Sequence, residues 1–350
     1  MRKRFIAIAI GATLTAGFMA GCSNTESKAP NAMSVQAQNP LFQVSNLQYQ
    51  APDFSLIKNE HFTPALEQGM AEHYQEILAI ANNPAAATFN NTIVAMEKSG
   101  ALLSRASSVF YNLAGSNSNP ELRKIQGEMA PKMAAHSDNI NLNPALFARI
   151  EAIYNDRANL GLTPEAVRLV EVYHQRFIMA GAKLTDEQKV KIRALNEEQS
   201  TLTNEFSQRL LRLTKEIAVI VESKNELAGL TDSDITSAAN DAKAAGHDGK
   251  YLINITNTTR QPVLASLENR ELRQRIWEAS ANRGLSGENE TASLVSRLAQ
   301  LRAERATLLG YENWASYRLA PQMAKTPEAV YSMFGSMVPA VVANTEKEAA

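Results

Sequence analysis

The residues that could do chemistry in this chain are few and widely spaced. The chain has five histidines, and the two nearest stand twelve positions apart. They are His61, His73, His136, His174 and His247. A zinc hydrolase of the H-E-x-x-H type needs two histidines one helical turn apart, because both imidazoles must face the same ion. That motif is therefore absent, and we interpret each histidine as a surface or helix-capping residue.

Other local signatures of catalysis are also missing. The sequence contains no G-x-S-x-G elbow, no P-loop and no G-x-G-x-x-G, the short motifs of serine hydrolases and nucleotide-binding proteins. Asp232 and Asp234 follow Thr231 and are predicted to be first-turn acids beside a helix cap. Glu197 and Glu198 are predicted to lie on a solvated helix face. We therefore predict no catalytic residue and no metal ligand within this sequence.

A secretory signal opens the chain. Positions 2–4 are basic, and positions 5–18 are apolar apart from small residues and two threonines, a stretch too short to span a bilayer comfortably. The following Met19-Ala-Gly-Cys22 resembles a bacterial lipobox, in which the cysteine takes diacylglycerol. We predict that residues 1–21 are a lipoprotein signal peptide and that Cys22 is the lipid attachment site. The alternative is an ordinary signal peptide followed by a chance cysteine.

The residues around Cys22 predict the location of the protein. Cys22 is the only cysteine, so its lipidation would leave no thiol for a disulfide or a metal site. Ser23 rather than Asp follows it, which in Gram-negative lipoprotein sorting implies the outer membrane. Residues 22–40 are mostly polar and are predicted to form a disordered tether with a reach on the order of 25 Å. We therefore expect a periplasmic protein held to the membrane by an N-terminal lipid.

Composition sets the fold class and excludes one class of partner. Lys and Arg total 35 against 36 Asp and Glu, a net charge of −1, so nothing favours nucleic acid binding. With only 16 Gly and 13 Pro in 350 residues, and many strong helix formers, the chain is predicted to be mainly α.

Helix starts are predicted at five places where a capping residue precedes proline. Proline suits the first helical position because its missing N–H would be unpaired there. The five pairs are Thr63-Pro64, Asn119-Pro120, Asn143-Pro144, Thr163-Pro164 and Thr326-Pro327. A capping box at Thr185 predicts a further helix that runs to Ile220, about 35 residues and on the order of 50 Å long. We interpret it as a strut, with a coiled-coil dimer seam as the alternative.

Tyr251–Thr256 is the single predicted strand, since it is rich in β-branched and aromatic residues and follows the turn at Gly246. A domain boundary is predicted at that turn. Residues 41–245 would form an N-terminal helical domain, and residues 246–350 would begin a second one with a short strand or hairpin near 250–256.

Several separated segments resemble one known family. They are Phe89–Gly100 (FNNTIVAMEKSG), Glu128–Asp138 (EMAPKMAAHSD), Asn257–Leu264 (NTTRQPVL), Leu301–Tyr317 (LRAERATLLGYENWASY) and Met323–Glu328 (MAKTPE). In order and spacing they resemble the N-terminal half of the bacterial dipeptidyl carboxypeptidases, within the thimet-oligopeptidase family of zinc metallopeptidases. The resemblance runs from about Pro40 to the last residue.

The resemblance implies a largely helical ellipsoid with a deep cleft. It also implies that zinc-activated water in this cleft cuts oligopeptide substrates two residues from their free C-terminus. It further implies that the zinc ligands and the catalytic Glu lie in the second half of a family member, so no such residue is carried over to this sequence. Zinc is accordingly expected in a full-length protein, which would be a monomer, and not bound by these residues alone.

Two hypotheses follow. The preferred one is the N-terminal part of a lipid-anchored zinc peptidyl-dipeptidase, inactive alone, that builds one wall of the cleft. In its support, the helix predicted from Thr326 presents Phe334, Met337 and Val341 without a partner or a stop signal, so we interpret the sequence as truncated before its zinc motif. The alternative is a non-catalytic helical lipoprotein that uses the same scaffold for binding.

Overall fold

The structure, a computed structural model, describes residues 39–350, and helices dominate them. The helices are α1 (Phe62–Ala81), α2 (Ala101–Ser116), α3 (Pro120–Asn141), α4 (Pro144–Asp156), α5 (Pro164–Ala180), α6 (Asp186–Glu216), α7 (Asp232–Ala244), α8 (Asn257–Ser266), α9 (Arg270–Ala281), α10 (Ala292–Leu308), α11 (Trp314–Leu319) and α12 (Pro327–Ala349). The prediction of a mainly α fold is confirmed. The predicted signal peptide, Cys22 and the tether up to position 38 lie outside the described residues.

Short turns complete the helical part. 3-10 turns cover Pro40–Phe42, Gln48–Gln50, Asn59–His61 and Lys224–Leu227. A π-helical turn, Phe89–Val94, runs directly into one α-helical turn, Ala95–Lys98. Within residues 39–350, none of the helices combines the length and the apolar composition that a membrane span requires.

Four of the five predicted helix starts are confirmed. In each, the side-chain oxygen of the capping residue accepts a hydrogen bond from the backbone N–H three positions later. The four caps are Asn119, Asn143, Thr163 and Thr326. The fifth helix, predicted to start at Thr63-Pro64, is present, but it already begins at Phe62 after a 3-10 turn, so the prediction of Thr63 as its cap is wrong. That turn is stabilised by a hydrogen bond in which the Lys58 backbone N–H donates to His61 Nδ1 at 3.1 Å.

The long helix α6 is shorter than predicted. Its capping box at Thr185 is confirmed, but the helix ends at Glu216 after 31 residues, four positions before Ile220. It packs along α3 and along α10 of the same chain, as a strut does. The residues after its end are largely β-branched, and Val219–Val221 forms strand β1 instead.

Strand β1 pairs with the strand predicted near Tyr251, which becomes β2 (Tyr251–Ile253). The pairing is antiparallel and sets Val219 opposite Ile253 and Val221 opposite Tyr251. Apolar residues of β1, β2, α7 and α9 share one buried cluster beneath this small sheet. The two strands lie on either side of Gly246, so the regions before and after the predicted domain boundary share hydrophobic packing.

Two further buried clusters lie along α1. The Phe110 cluster joins α1, α2 and α3 and consists of Leu41, Phe62, Ala65, Leu66, Leu103, Ala106, Val109, Phe110, Leu122, Ile125 and Met129. The Ile150 cluster joins α1, α4 and α5 with the π-helical turn, and consists of Ile77, Ile80, Ala81, Ile93, Met96, Leu146, Phe147, Ile150, Ile153, Val170, Tyr173, Phe177 and Ala182.

Gly69 lies on α1 between these two clusters. A Cβ at this position would stand 2.8 Å from the Cα of Leu103, closer than real Cβ atoms approach. The backbones of α1 and α2 therefore meet directly here, and only glycine fits.

Candidate functional site

A polar groove runs between α3 and α6 and encloses about 460 Å³. Tyr111 of α2, Ala180 of α5 and Arg305 of α10 close its sides. The groove is otherwise lined by the carboxyl group of Asp138 and by carboxamide, hydroxyl and small side chains, namely Gln126, Ala130, Ala134, Ser137, Asn141, Asn196, Gln199, Ser200, Thr203, Asn204 and Ser207. Among these lining residues, Asp138 and Arg305 alone carry a full charge.

Helical periodicity aligns these side chains along the groove. On α3 they recur every three to four positions from Gln126 to Asn141, and on α6 they do the same from Asn196 to Ser207. At 1.5 Å per residue, these spans are about 22 Å and about 16 Å. An extended peptide advances about 3.3 Å per residue, so the groove has the length of roughly five peptide residues.

Asp138 and Asn196 form a buried pair at one end of the groove. Asn196 Nδ2 donates to Asp138 Oδ1 at 2.7 Å, and Asp138 is 8% exposed. Burial raises the pKa of Asp138, while the bond from Asn196 and the positive charges of Arg193 and Arg305 partly oppose that rise. The carboxyl group is therefore oriented by Asn196 and is not solvated by bulk water.

Arg305, which lies on the α10 side of the groove, is held against the ring of Tyr317. Its Nη2 donates to the Tyr317 hydroxyl at 3.2 Å, and that hydroxyl donates to the backbone oxygen of Met179 at 3.2 Å. The guanidinium carbon lies 5.5 Å from the centre of the Tyr317 ring, a cation–π distance. The side chain is thus held in one place by contacts on two helices.

Three polar atoms of the groove have hydrogen-bonding capacity to spare. Within the described part of the chain, Asn196 Oδ1, Asn204 Oδ1 and Arg305 Nε are buried without a hydrogen-bond partner. Buried polar atoms are ordinarily paired, so two acceptors and one donor at a groove wall favour a ligand that offers both kinds of group. Peptide main chain does so at every residue. The polar lining of the groove thus matches the chemistry of a peptide main chain, although contact with these three buried atoms requires movement of the side chains around them.

The histidines lie in three different settings. His61 caps the turn before α1, as the sequence predicts. His73 of α1 and His136 of α3 form a pair, with His73 Nδ1 and His136 Nε2 at 3.0 Å. Burial lowers the pKa of both, and for His136 the neighbouring His73 helps to lower it to about 4. No local pattern in the sequence predicts this pair, because 63 positions separate its members.

The other two histidines stand apart from that pair. His174 stacks on the Tyr154 ring with centroids 3.7 Å apart, and burial lowers its pKa. His247 lies in the turn after α7, where its backbone N–H donates to Ala242. Within residues 39–350, no three side chains of the His, Cys, Asp or Glu type cluster as metal ligands would.

The acidic residues singled out from the sequence also differ from each other. Asp234 completes the cap at Thr231, since its backbone N–H donates to Thr231 Oγ1 at 3.2 Å, as predicted. Glu198 is not merely solvated, because Arg297 of α10 donates to both of its oxygens, at 2.7 and 2.8 Å. This pair ties α6 to α10 and lowers the pKa of Glu198.

Known proteins that are similar to this chain are peptidases by name. The profile of peptidase family M3 matches residues 263–350. The dipeptidyl carboxypeptidase of Escherichia coli K12 is 43% identical over 303 residues, which are 86% of this chain and 44% of that protein. The dipeptidyl carboxypeptidase of Salmonella typhimurium LT2 is also 43% identical, with the same coverage of each chain.

More distant relatives are named as peptidases too. Oligopeptidase A of Haemophilus influenzae is 26% identical over 315 residues, which are 89% of this chain and 45% of that protein. The chain thus spans less than half the length of the curated relatives it matches. The resemblance predicted from the separated sequence segments is confirmed.

Proposed function

We propose that this chain, a homologue of the M3 peptidases, supplies one wall of the substrate cleft in a zinc-dependent peptidyl-dipeptidase. Such an enzyme releases dipeptides from the C-terminus of oligopeptides. The single observation that carries the proposal is the 43% identity to two dipeptidyl carboxypeptidases along most of the chain. The polar groove between α3 and α6 is the wall that would contact the peptide.

The part played by this chain is to bind and orient the peptide. Asn196 Oδ1 and Asn204 Oδ1 would accept from main-chain N–H groups, and Arg305 Nε would donate to a main-chain carbonyl, once the side chains that now cover these buried atoms move aside. Such bonds hold the main chain without selecting one side chain, which suits an enzyme that acts on varied oligopeptides. Holding the substrate in one geometry lowers the barrier of the chemical step that follows.

Zinc belongs to another part of such an enzyme. M3 peptidases are zinc-dependent, but the described residues of this chain offer no group of three metal-ligating side chains. The residues present therefore do not fit a catalytic zinc, which takes three protein ligands and keeps an open position. The 350-residue chain alone is accordingly expected to bind peptide without hydrolysing it.

Helix α12 supports a role within a larger protein. None of its 23 residues is buried, and apolar side chains such as Tyr331, Phe334 and Val341 are between two-fifths and three-quarters exposed. Contiguous apolar surface of this kind marks an interaction site. Since the relatives are more than twice as long as the matched region, the partner we assign to this face is the rest of the peptidase.

The lipid anchor and the location belong to the proposal as well. Cys22 would carry diacylglycerol and hold the enzyme in the periplasm at the outer membrane, as the sequence predicts. Mass spectrometry of the mature N-terminus tests the modification, and globomycin, which blocks lipoprotein signal cleavage, should cause the precursor to accumulate. An unmodified Cys22 in the mature protein would contradict the anchor while leaving the peptidase assignment intact.

Peptide binding tests the proposed wall. Binding of a fluorescent uncharged pentapeptide to this chain should weaken about tenfold when Asn196→Ala and Asn204→Ala are combined, since two acceptors are lost. Asn240→Ala on the exposed face of α7 is the matched control and should bind normally. Equal affinities in all three proteins would contradict the role of the groove. Zinc-dependent peptide cleavage by the 350-residue chain would contradict its lack of a catalytic site.

A further inference from the structure

The segment before α1 forms an apolar surface of its own. This N-terminal strap, residues 40–57, contains a single charged residue, Asp53. Its Oδ1 accepts bonds from the backbone N–H and the hydroxyl of Ser55, at 3.0 and 2.6 Å. At least half of each of five large apolar side chains is exposed to solvent, namely Val44, Leu47, Tyr49, Phe54 and Leu56.

The strap displays one aromatic residue by an unusual backbone conformation. Tyr49 and Gln50 both adopt the left-handed region, with φ of 58° and 57°, which residues other than glycine seldom enter. The result is a turn that holds the Tyr49 side chain 92% exposed at its tip. A strained turn that exposes an aromatic ring gives no stability to the described fold, so its use lies outside that fold.

The strap is held firmly to the helices beneath it. Arg105 of α2 donates from Nε to the backbone oxygen of Leu41 at 3.0 Å and from Nη2 to that of Phe42 at 3.3 Å. Between the strap and α2 lies a mostly apolar cavity of about 270 Å³, lined in part by Val44, Leu47 and Leu56. The exposed side chains therefore belong to a fixed surface and not to a free tail.

The position of the strap in the chain identifies its occupant. Pro40, its first residue, stands eighteen positions after the predicted lipid site Cys22. A lipid-anchored chain of this sequence would enter its fold at the strap, so this is the surface covalently nearest to the bilayer. Aromatic residues favour the membrane–water interface, and a surface with one locally bonded carboxylate meets little desolvation penalty there.

We propose that the N-terminal strap is a bilayer-docking surface, with Tyr49 and Phe54 as its interfacial anchors. The strap gives the lipid attachment a second contact. The diacylglycerol predicted on Cys22 would already supply two acyl chains, so the strap would orient the folded part against the bilayer rather than complete its anchoring. This inference rests on the lipid anchoring proposed above for its biological setting, but the affinity of the strap for lipid is a property that can be measured without it.

Vesicle binding tests the proposal. The mature chain with Cys22→Ala, which cannot be lipidated, is mixed with vesicles of phosphatidylethanolamine and phosphatidylglycerol and sedimented. We expect measurable binding that falls at least about tenfold when Tyr49→Ser and Phe54→Ser are combined. Val190→Ser with Trp277→Ser is the matched control, because both side chains are more than half exposed elsewhere on the surface, and it should bind as the parent does.

Two outcomes would overturn the strap proposal. One is vesicle binding that is absent from the parent or unchanged in the strap variant. The other comes from placing an environment-sensitive fluorophore on Tyr49→Cys in the Cys22→Ala background of the native-length protein. Its emission should shift to the blue only when vesicles are added, and a blue-shifted spectrum without lipid would mean that protein covers the strap. Failure of Cys22 lipidation would leave both measurements valid, so the two proposals can fail separately.

Discussion

Helices α1 and α12 have similar lengths, 20 and 23 residues, yet opposite surroundings. Seven residues of α1 are buried, while α12 has none, although its apolar residues also recur at helical spacing. What separates them is the presence of neighbours, since α2, α3 and α4 all pack on α1. An amphipathic helix is thus only half of a packing interaction, and most of its contribution to stability depends on the element that covers it.

Truncating one phenylalanine in each region gives the largest expected contrast. Phe110 is fully buried and lies 5.3 Å from Phe62, centre to centre. We expect Phe110→Ala to lower the free energy of unfolding by about 3–5 kcal/mol, because it leaves a cavity in the Phe110 cluster. Phe334→Ala on α12 should change it by less than about 0.5 kcal/mol. Urea unfolding measures both, and similar losses would contradict the contrast.

Replacing a buried arginine should have the next largest effect on the free energy of unfolding. Arg149 of α4 is 9% exposed and donates from Nη1 to the backbone oxygens of Asn83 and Ala85, both at 2.9 Å, and from Nη2 to Asn91 Oδ1 at 2.8 Å. Arg149→Met should cost about 2–4 kcal/mol, because these acceptors lose a charged donor. Thermal unfolding monitored by circular dichroism is the measurement, and an unchanged midpoint would show that water replaces the guanidinium at no penalty.

The buried histidine pair predicts a pH dependence. With the pKa of His136 lowered to about 4, the unfolded chain binds more protons than the folded chain between about pH 4 and 6.5. The free energy of unfolding should therefore fall as the pH is lowered through that window, by on the order of 1–2 kcal/mol between pH 7 and 5. His136→Leu should flatten that part of the curve. The prediction fails if parent and variant have parallel profiles.

An exposed ion pair between two helices should have the smallest effect. Lys132 of α3 and Glu67 of α1 stand 2.5 Å apart, with each side chain about half exposed. Lys132→Met should change the free energy of unfolding by less than about 0.5 kcal/mol, since water and salt weaken exposed pairs. Repeating the unfolding in high salt should leave parent and variant indistinguishable. A loss near that of Arg149→Met would show that exposure is a poor guide to strength here.

Much of the helical framework could be predicted because helix starts are local. Asn119, Asn143, Thr163, Thr185 and Thr326 each bond a backbone N–H three positions away, so the sequence contains both partners. Strand β1 could not be predicted in the same way. Its three residues continue the apolar pattern of α6, and they form a strand only because Tyr251–Ile253, some thirty positions later, pairs with them.

The groove could not be predicted because its parts meet only in the folded chain. Asn196 bonds an aspartate 58 positions earlier, and Arg305 bonds a backbone-anchored tyrosine of another helix. None of these side chains belongs to a short motif, and each alone is typical of an exposed helix face. The relation of the chain to peptidases was nevertheless visible in its sequence, because several segments carry it together.

Gly69 couples the stability of the Phe110 cluster to that of the Ile150 cluster, since both lie along α1. The helix is about 29 Å long, and one end enters the Phe110 cluster while the other enters the Ile150 cluster. At Gly69 the absence of a side chain lets the helix backbone lie directly against Leu103. If one end of α1 tilted or slid out of its cluster about this contact, the other end would be displaced from its own cluster as well. The two clusters are thus mechanically joined through α1, and we expect residues 62–180 to unfold as one cooperative unit rather than as two that open independently.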